Sequence, residues 1–216
     1  MIKAININLS RREGMNVFNI DGRFYRILDK ITDFLLLNLL WIIFCLPIVT
    51  IFPSTAAMFG VVRSWVRKDE PSITKHFYTL FKDNFKQGIL IEIAWFFMAA
   101  IVTFNIFVSF HMGDTLKYII FPPLIFIGIL FVFTSIFLFP IMVHYKTSWL
   151  GLIKNAFFFS ISQPVTSLLG ILIIGISGVL IFFIPISFFA IASLIAYILY
   201  YLCNKAFQKV ETIKSK

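Results

Sequence analysis

Charge is what this sequence has least of. Only 13% of its 216 residues are charged, while 60% are hydrophobic; soluble domains average about 25% charged. That is too little polar material to cover a globule, and the apolar residues come in unbroken runs too long for buried core helices. Acidic residues are the scarcer sign, 10 against 19 Lys and Arg, which leaves a net charge of +9. The excess does not point to nucleic acid, because no exposed domain concentrates it. The basic residues flank the apolar runs instead, as orientation signals and contacts for anionic lipid do.

Reactive groups are equally sparse. The two cysteines, Cys45 and Cys203, lie inside apolar runs without ligand spacing, so they read as packing residues. His76, His111 and His144 are far apart in sequence and near span ends, so no metal site is expected. A Gly-rich phosphate loop, HExxH and GxSxG are all missing. No catalytic residue, cofactor or nucleotide site follows, and the expectation is a protein that is not an enzyme. Residues 1–33 also lack an apolar core followed by a small-residue cleavage site, so the first apolar run is expected to be retained.

What is present is a set of long apolar runs. They predict an all-α, polytopic transmembrane bundle of about five spans, near residues 34–52, 88–110, 118–140, 165–184 and 187–203. These form one membrane domain over 16–204, preceded by a tail at 1–15 and followed by a basic cytoplasmic tail at 205–216. Pro47 and Pro53 interrupt the first run. If residues 34–65 form a hairpin broken there, six helices enter the membrane and the N-terminus changes side. Five spans put the 53–87 and 141–163 connectors and the C-terminal tail together on the more basic, cytoplasmic side, but leave the basic residues of 1–33 opposite. A start at Met15 would remove Lys3, Arg11 and Arg12 and restore the bias.

The connectors are expected to be amphipathic helices on the cytoplasmic side. In Ile73–Gln87, Phe77, Phe81 and Phe85 recur every four residues while Lys75, Lys82 and Lys86 fall elsewhere on the wheel. The aromatic face can pack on the protein's own spans, rest on lipid, or dock a partner. Ile141–Gln163 places Tyr145, Trp149, Leu152, Ala156 and Phe157 on one face. A faint echo links the two connectors, Lys82/Asn84 in one and Lys154–Asn155 in the other, each after a Pro-terminated span; two such pairs are poor evidence of duplication, and chance accounts for them better.

Polar residues inside apolar runs carry the remaining information, since leaving them unpaired in lipid is costly. Glu92 lies about one turn into the second predicted span. It can face a cavity, pair with a cation such as Arg63 or Arg67, or reach interfacial water. Asn38, Thr103 and Asn105 can bond between helices. Asp29 and Asp33 share a helix face just ahead of the first run. Thr50 can satisfy a carbonyl freed by Pro53, and the Ala56–Ala57 pair permits close helix approach.

Three blocks carry a family resemblance: Leu37-Asn38-Leu39-Leu40-Trp41, Leu46-Pro47-Ile48-Val49-Thr50 and Thr55-Ala56-Ala57-Met58. Together with Phe77–Gln87 and the opening Phe18–Tyr25, they resemble the YesL-like family of bacterial integral membrane proteins. The likeness is good over residues 16–90 and hydropathic beyond, and it supports Met15 as the natural start. Phe52 departs from it, standing where relatives tend to carry Gly, which questions how sharply the chain can turn after Thr50. The resemblance implies unknown function, a Gram-positive source, and genes beside sugar ABC transporters and carbohydrate-processing enzymes. It therefore implies an accessory role in carbohydrate uptake with an ABC-transporter permease as partner, and it carries over no catalytic residue. A small transporter or channel using the Pro47–Pro53 break and Glu92 is the alternative, and a membrane enzyme the third.

Overall fold

Cut by prolines and short polar turns, the chain folds into helices throughout. The computed structural model describes residues 18–69, 71–111 and 114–214; the 1–15 tail and the Met15 start lie outside them. Among the described residues there are seven α-helices and two 3₁₀ turns: α1 Phe18–Cys45, the turn Ile48–Thr50, α2 Ile51–Val66, α3 Ile73–Phe110, α4 Asp114–His144, α5 Trp149–Ser162, α6 Pro164–Phe183, the turn Pro185–Ser187 and α7 Phe188–Lys214. Five segments are long and apolar enough to cross a membrane: Ile48–Val66, Ile73–Phe110, Tyr118–His144, Pro164–Phe183 and Pro185–Thr212. The all-α membrane bundle is the observed class. The N-terminal helix α1, whose apolar half follows Asp29, Lys30 and Asp33, is not among the five.

The predicted run 34–52 is not one helix. Pro47 has no N–H to continue α1 and its ring would meet the preceding turn, so α1 stops at Cys45. The chain then reverses through residues 46–50, and α2 returns antiparallel to α1. The reversal is fixed by Phe34 against Trp65, with ring centroids 4.9 Å apart, and by the Trp41 indole N–H donating to Thr55 Oγ1 at 3.1 Å. Residues 34–65 thus take the broken-hairpin form. Pro53 is not part of the break. It sits in the first turn of α2, where a missing N–H leaves no intrahelical bond unmade.

This hairpin brings the start of α1 to the same end of the molecule as the α2–α3 turn. The described segments before Phe34, between α2 and α3, between α4 and α6, and at the end of α7 then fall on one side, and among the described Lys and Arg residues Lys117 alone falls on the other. Single cysteines replacing the exposed Lys30 and Lys75 should therefore react with an impermeant thiol reagent from the same side of the membrane. Labelling from opposite sides would contradict the hairpin.

The second connector merges with the second predicted span. Ile73–Phe110 is one helix of 38 residues, about 57 Å at 1.5 Å per residue and nearly twice a hydrocarbon core of about 30 Å. Its first half lies antiparallel along α2, with Ser64 Oγ and His76 Nε2 3.0 Å apart at one end. The aromatic stripe of this half faces inward: Phe77 is fully buried, and Phe44 of α1 meets Phe77 and Phe81 at centroid distances of 5.4 and 4.8 Å. The Phe77, Phe81, Phe85 face is thus packed on the protein's own helices, with Phe85 half-buried beside Phe81, and is not an open docking face. Tyr78, Lys82 and Lys86 remain exposed.

The α2–α3 turn closes with Asp69 N–H donating to Ser64 O and Lys68 N–H to Trp65 O, both at 3.0 Å, while Lys68 adopts φ 65°. That pair of bonds around a left-handed residue ends a helix most comfortably at glycine. Lys68→Gly should raise thermal stability by up to about 1 kcal/mol, because the left-handed strain outweighs the added freedom of the unfolded chain. A fall in melting temperature would refute this.

The second half of the chain packs around the first. α4 runs through Pro140 to His144 rather than ending there. α5, started by Ser148 Oγ accepting from Gly151 N–H, folds back on α4. Its buried face is Leu152, Ala156, Phe159 and Ser160; Trp149 and Phe157, expected on the same face, are exposed. α6 begins at Pro164, and the turn before α7 falls at Pro185–Ser187, where the sequence suggested. α7 continues helical through most of the basic tail. At the centre of the bundle is α2, whose residues Ala56 to Val62 are all buried against α1, α3, α4 and α7. The Ala56–Ala57 pair serves close packing there, as small residues do where helix backbones approach.

Candidate functional site

The site forms where three elements meet: the α1–α2 turn, the first turn of α2 and the middle of α3. Ending α1 at Cys45 strands the carbonyl of Phe44, which would accept from residue 48 in a continued helix. Two hydroxyls replace that donor: Thr50 Oγ1 donates to Phe44 O at 2.6 Å, and Ser54 Oγ donates to it at 2.9 Å. Thr50 Oγ1 also lies 2.7 Å from Pro47 O. Thr50 therefore serves the break at Pro47 rather than a carbonyl freed by Pro53. Ser54, fully buried, was not singled out in the sequence; its position one turn after Thr50 is the signal that could have found it.

The N-terminus of α2 has no side-chain cap of its own. One of its free N–H groups meets Glu92 instead: Phe52 N–H donates to Glu92 Oε2 at 3.2 Å. A carboxylate at a helix N-terminus is favoured by the free N–H groups and by the helix dipole. Gly88, one turn before Glu92 on the same face of α3, makes the approach possible. A Cβ there would lie 2.8 to 2.9 Å from the Pro53 ring carbons and backbone nitrogen. Phe52 offers no obstacle, since the reversal is complete before it and its ring packs on Phe139 at 5.1 Å.

Glu92 is 3% exposed, and its Oε1 has no hydrogen-bond partner. Neither Arg63 nor Arg67 reaches it; they sit at the opposite end of α2, and Arg63 is about 16 Å from Phe52 along the helix axis. The carboxylate instead borders a recess of about 450 Å³, walled by Ile48 and Val49 of the turn and Ile89, Ile93, Phe96 and Phe97 of α3. A second recess, about 550 Å³, lies among α3, α4 and α5, with Trp95, Phe131 and Phe157 in its walls and Lys154 at its edge.

The other residues singled out from sequence do not converge here. Asn38 is fully buried between α1 and α7, its Oδ1 accepting from Ser193 N–H at 2.7 Å, while Ser193 Oγ donates to Phe34 O at 3.1 Å. That is the interhelical bond expected of it. Asn84 and Asn105 each donate to a carbonyl of their own helix, Leu80 O and Ile101 O, and Thr103 is exposed. His144 Nδ1 is 3.0 Å from the Tyr200 hydroxyl, and its Nε2 is 3.9 Å from Glu211, to which Tyr145 donates at 2.8 Å. Burial and the bond to Glu211 push the Tyr145 phenol above its ordinary value, so it remains a donor. This group ties the ends of α4 and α7 together. Among the described residues no three His, Cys, Asp or Glu side chains are grouped to hold a metal ion.

Comparison with known proteins fits this part of the chain. A family profile described as "Protein of unknown function, DUF624" matches residues 34–106, which contain the break, Gly88 and Glu92. The chain is similar to three proteins of Bacillus subtilis (strain 168), each described as uncharacterized. With YesL it is 27% identical over 189 residues, covering 83% of this chain and 87% of the relative. With YesV it is 29% identical over 188 residues, covering 81% and 86%. With YteU it is 30% identical over 128 residues, covering 57% of each. No solved structure matches. The resemblance first carried by the 37–41, 46–50 and 55–58 blocks thus extends over most of the chain, and these matches support a YesL-like family of unknown function.

Proposed function

We propose that the protein is a non-enzymatic accessory component of a carbohydrate ABC importer in the bacterial cytoplasmic membrane, acting through lateral contacts with the permease. The observation that carries this reading is how the polar groups of the break are used. The Phe44 carbonyl is taken by Thr50 and Ser54, and the α2 N-terminus by Glu92. A carrier built on a broken helix needs such groups free to coordinate its substrate or ion. Around them, the α2 core is close-packed, while α3, α4 and α6 present long apolar faces outward. Faces of that kind meet lipid or other transmembrane helices.

The importer enters from the family resemblance, which implies neighbouring sugar-transport genes. The side that gathers the basic residues would be cytoplasmic by the positive-inside bias, and so would the C-terminus. Docking would use the outer faces of α4 and α6 and the exposed Lys75, Lys82 and Lys86 edge of α3, since the Phe77 stripe is spent internally. The test is affinity purification of the tagged full chain from its own host in mild detergent, combined with sugar uptake in a deletion strain. The expected result is recovery of a sugar permease and altered uptake. Absence of a permease together with unchanged uptake would overturn the proposal.

The transporter alternative retains one favourable observation, the unpartnered Oε1 of Glu92 beside an open recess. Substrate counterflow by the purified chain in vesicles, lost in Glu92→Gln, would establish it.

A further inference from the structure

We propose that the recess beside Glu92 is a binding site for an amphiphilic ammonium, a cationic head carried on an apolar body, entering from the lipid side. The inference does not depend on the importer association.

Three observations meet at this place. The concavity, about 450 Å³, falls in the range of small-molecule sites, about 300–1,000 Å³, and has their usual make-up of apolar walls around very few polar groups. Among the described residues, Glu92 is the sole ionisable one in its lining. The Oε2 of that carboxylate is held by the Phe52 N–H, while Oε1 is buried without a partner. A buried polar oxygen left unpaired is costly, and a charged one more so. A helix N-terminus offers only about half a positive charge, so the carboxylate keeps a deficit that a cation would fill.

The walls select the kind of cation. A hard metal ion requires several oxygen ligands, which Ile48, Val49, Ile89 and Ile93 cannot supply. An ammonium needs fewer hydrogen bonds, and a methylated one needs none. Phe96 and Phe97 add aromatic faces of the type that recognise alkylated ammonium groups. The mouth of the recess is apolar as well: Ile48, Val49, Ile93 and Phe97 are each more than 60% exposed. A ligand crossing that rim must carry apolar surface next to its charge. A partner helix, about 10 Å across with its side chains, is too broad to seat in the recess and would insert one side chain at most.

The probe is dodecyltrimethylammonium, titrated calorimetrically into the full chain held in nanodiscs of digalactosyldiacylglycerol, an uncharged bilayer lipid without an ammonium group. Saturable binding of one molecule per chain is expected above the partitioning seen with empty discs. Dodecanol, which shares the tail and lacks the charge, should show partitioning alone. Glu92→Gln keeps an oxygen for the Phe52 N–H, and so the fold, but should weaken binding about tenfold or more. Val49→Trp, which fills the recess without touching the carboxylate, should abolish it; both variants are checked for wild-type melting.

Equal affinity in Glu92→Gln, saturable binding of dodecanol, or no binding beyond empty discs would each overturn the proposal. So would saturable binding of a Lys-bearing apolar helical peptide when the amphiphile does not bind, which would assign the recess to a protein partner. A final arm separates the sources of the ammonium. Loss of probe affinity in phosphatidylethanolamine discs supports a lipid headgroup as the resident ligand, and undiminished affinity supports a free amphiphile.

Discussion

Gly88→Ala is expected to destabilise the protein although helix propensity favours the change. In an exposed helix interior, alanine is better than glycine by about 1 kcal/mol. Here the added methyl would stand 2.8 to 2.9 Å from Pro53, including its backbone nitrogen. The obstacle is a ring and a main chain fixed in the first turn of α2, so α3 must move away. Overpacking of this kind typically costs about 1–3 kcal/mol. Movement of α3 would also lengthen the 3.2 Å contact between Phe52 N and Glu92 Oε2, one turn further along.

Gly60→Ala supplies the control. Its Cβ would meet Leu80 Cδ1 at 2.6 Å, but that atom is the tip of a flexible side chain that can rotate aside. Gly60→Ala should therefore be close to neutral, and Gly88→Ala clearly destabilised, in thermal unfolding of detergent-solubilised protein. If the two variants melt together at the wild-type temperature, the close approach of α3 to Pro53 is not what positions Glu92.

The second large effect concerns the stranded carbonyl of Phe44. Thr50→Val or Ser54→Ala alone removes one of its two hydroxyl donors and leaves the other. Each single variant should cost about 1 kcal/mol or less. The double variant leaves a carbonyl with no donor inside an apolar bundle, at a cost of roughly 1–3 kcal/mol. The loss in the double variant should exceed the sum of the singles, because one surviving hydroxyl can still serve the shared acceptor. A double-mutant cycle on melting stability measures this coupling. Strict additivity would mean that the two hydroxyls act on separate groups.

How much of this was legible in the sequence varies by element. The turn at Pro185–Ser187 was readable because proline ends a helix through local chemistry. Asn38 was readable as an interhelical donor or acceptor, because an amide in an apolar run must find a partner. Ile73–Gln87 was readable as amphipathic, but which of three surfaces its aromatic face meets (the protein's own spans, lipid or a partner) stayed open. Periodicity tells which residues share a face; it carries no information about what that face meets. Once α1 and α2 fold as a hairpin, Phe44 lies against Phe77 and Phe81, and the stripe is consumed. The exposed Phe157 was misplaced for the same reason, since the α5 wheel cannot say which way α4 lies.

Glu92 shows the limit most clearly. Its place near the start of an apolar run marked it as unusual, and the partners proposed for it were nearby cations. Its actual partner is a backbone N–H 40 residues earlier. A main-chain donor has no signature in residue identity, so no pattern in the sequence could name it.

By itself the sequence determined that this is an all-helical membrane bundle, that Pro47 and Pro53 interrupt its first apolar run, and that Glu92 and Asn38 need partners. Those follow from composition and from local backbone chemistry, which act over a few residues. Only the tertiary structure decided that the break is a reversal making α1 and α2 a hairpin, that α2 is the buried centre, and that Gly88 admits Pro53. The same contact sets Glu92 on the α2 N-terminus beside an apolar recess. Each of these depends on contacts between segments tens of residues apart, where the geometry of close approach, rather than the type of any one residue, selects the arrangement.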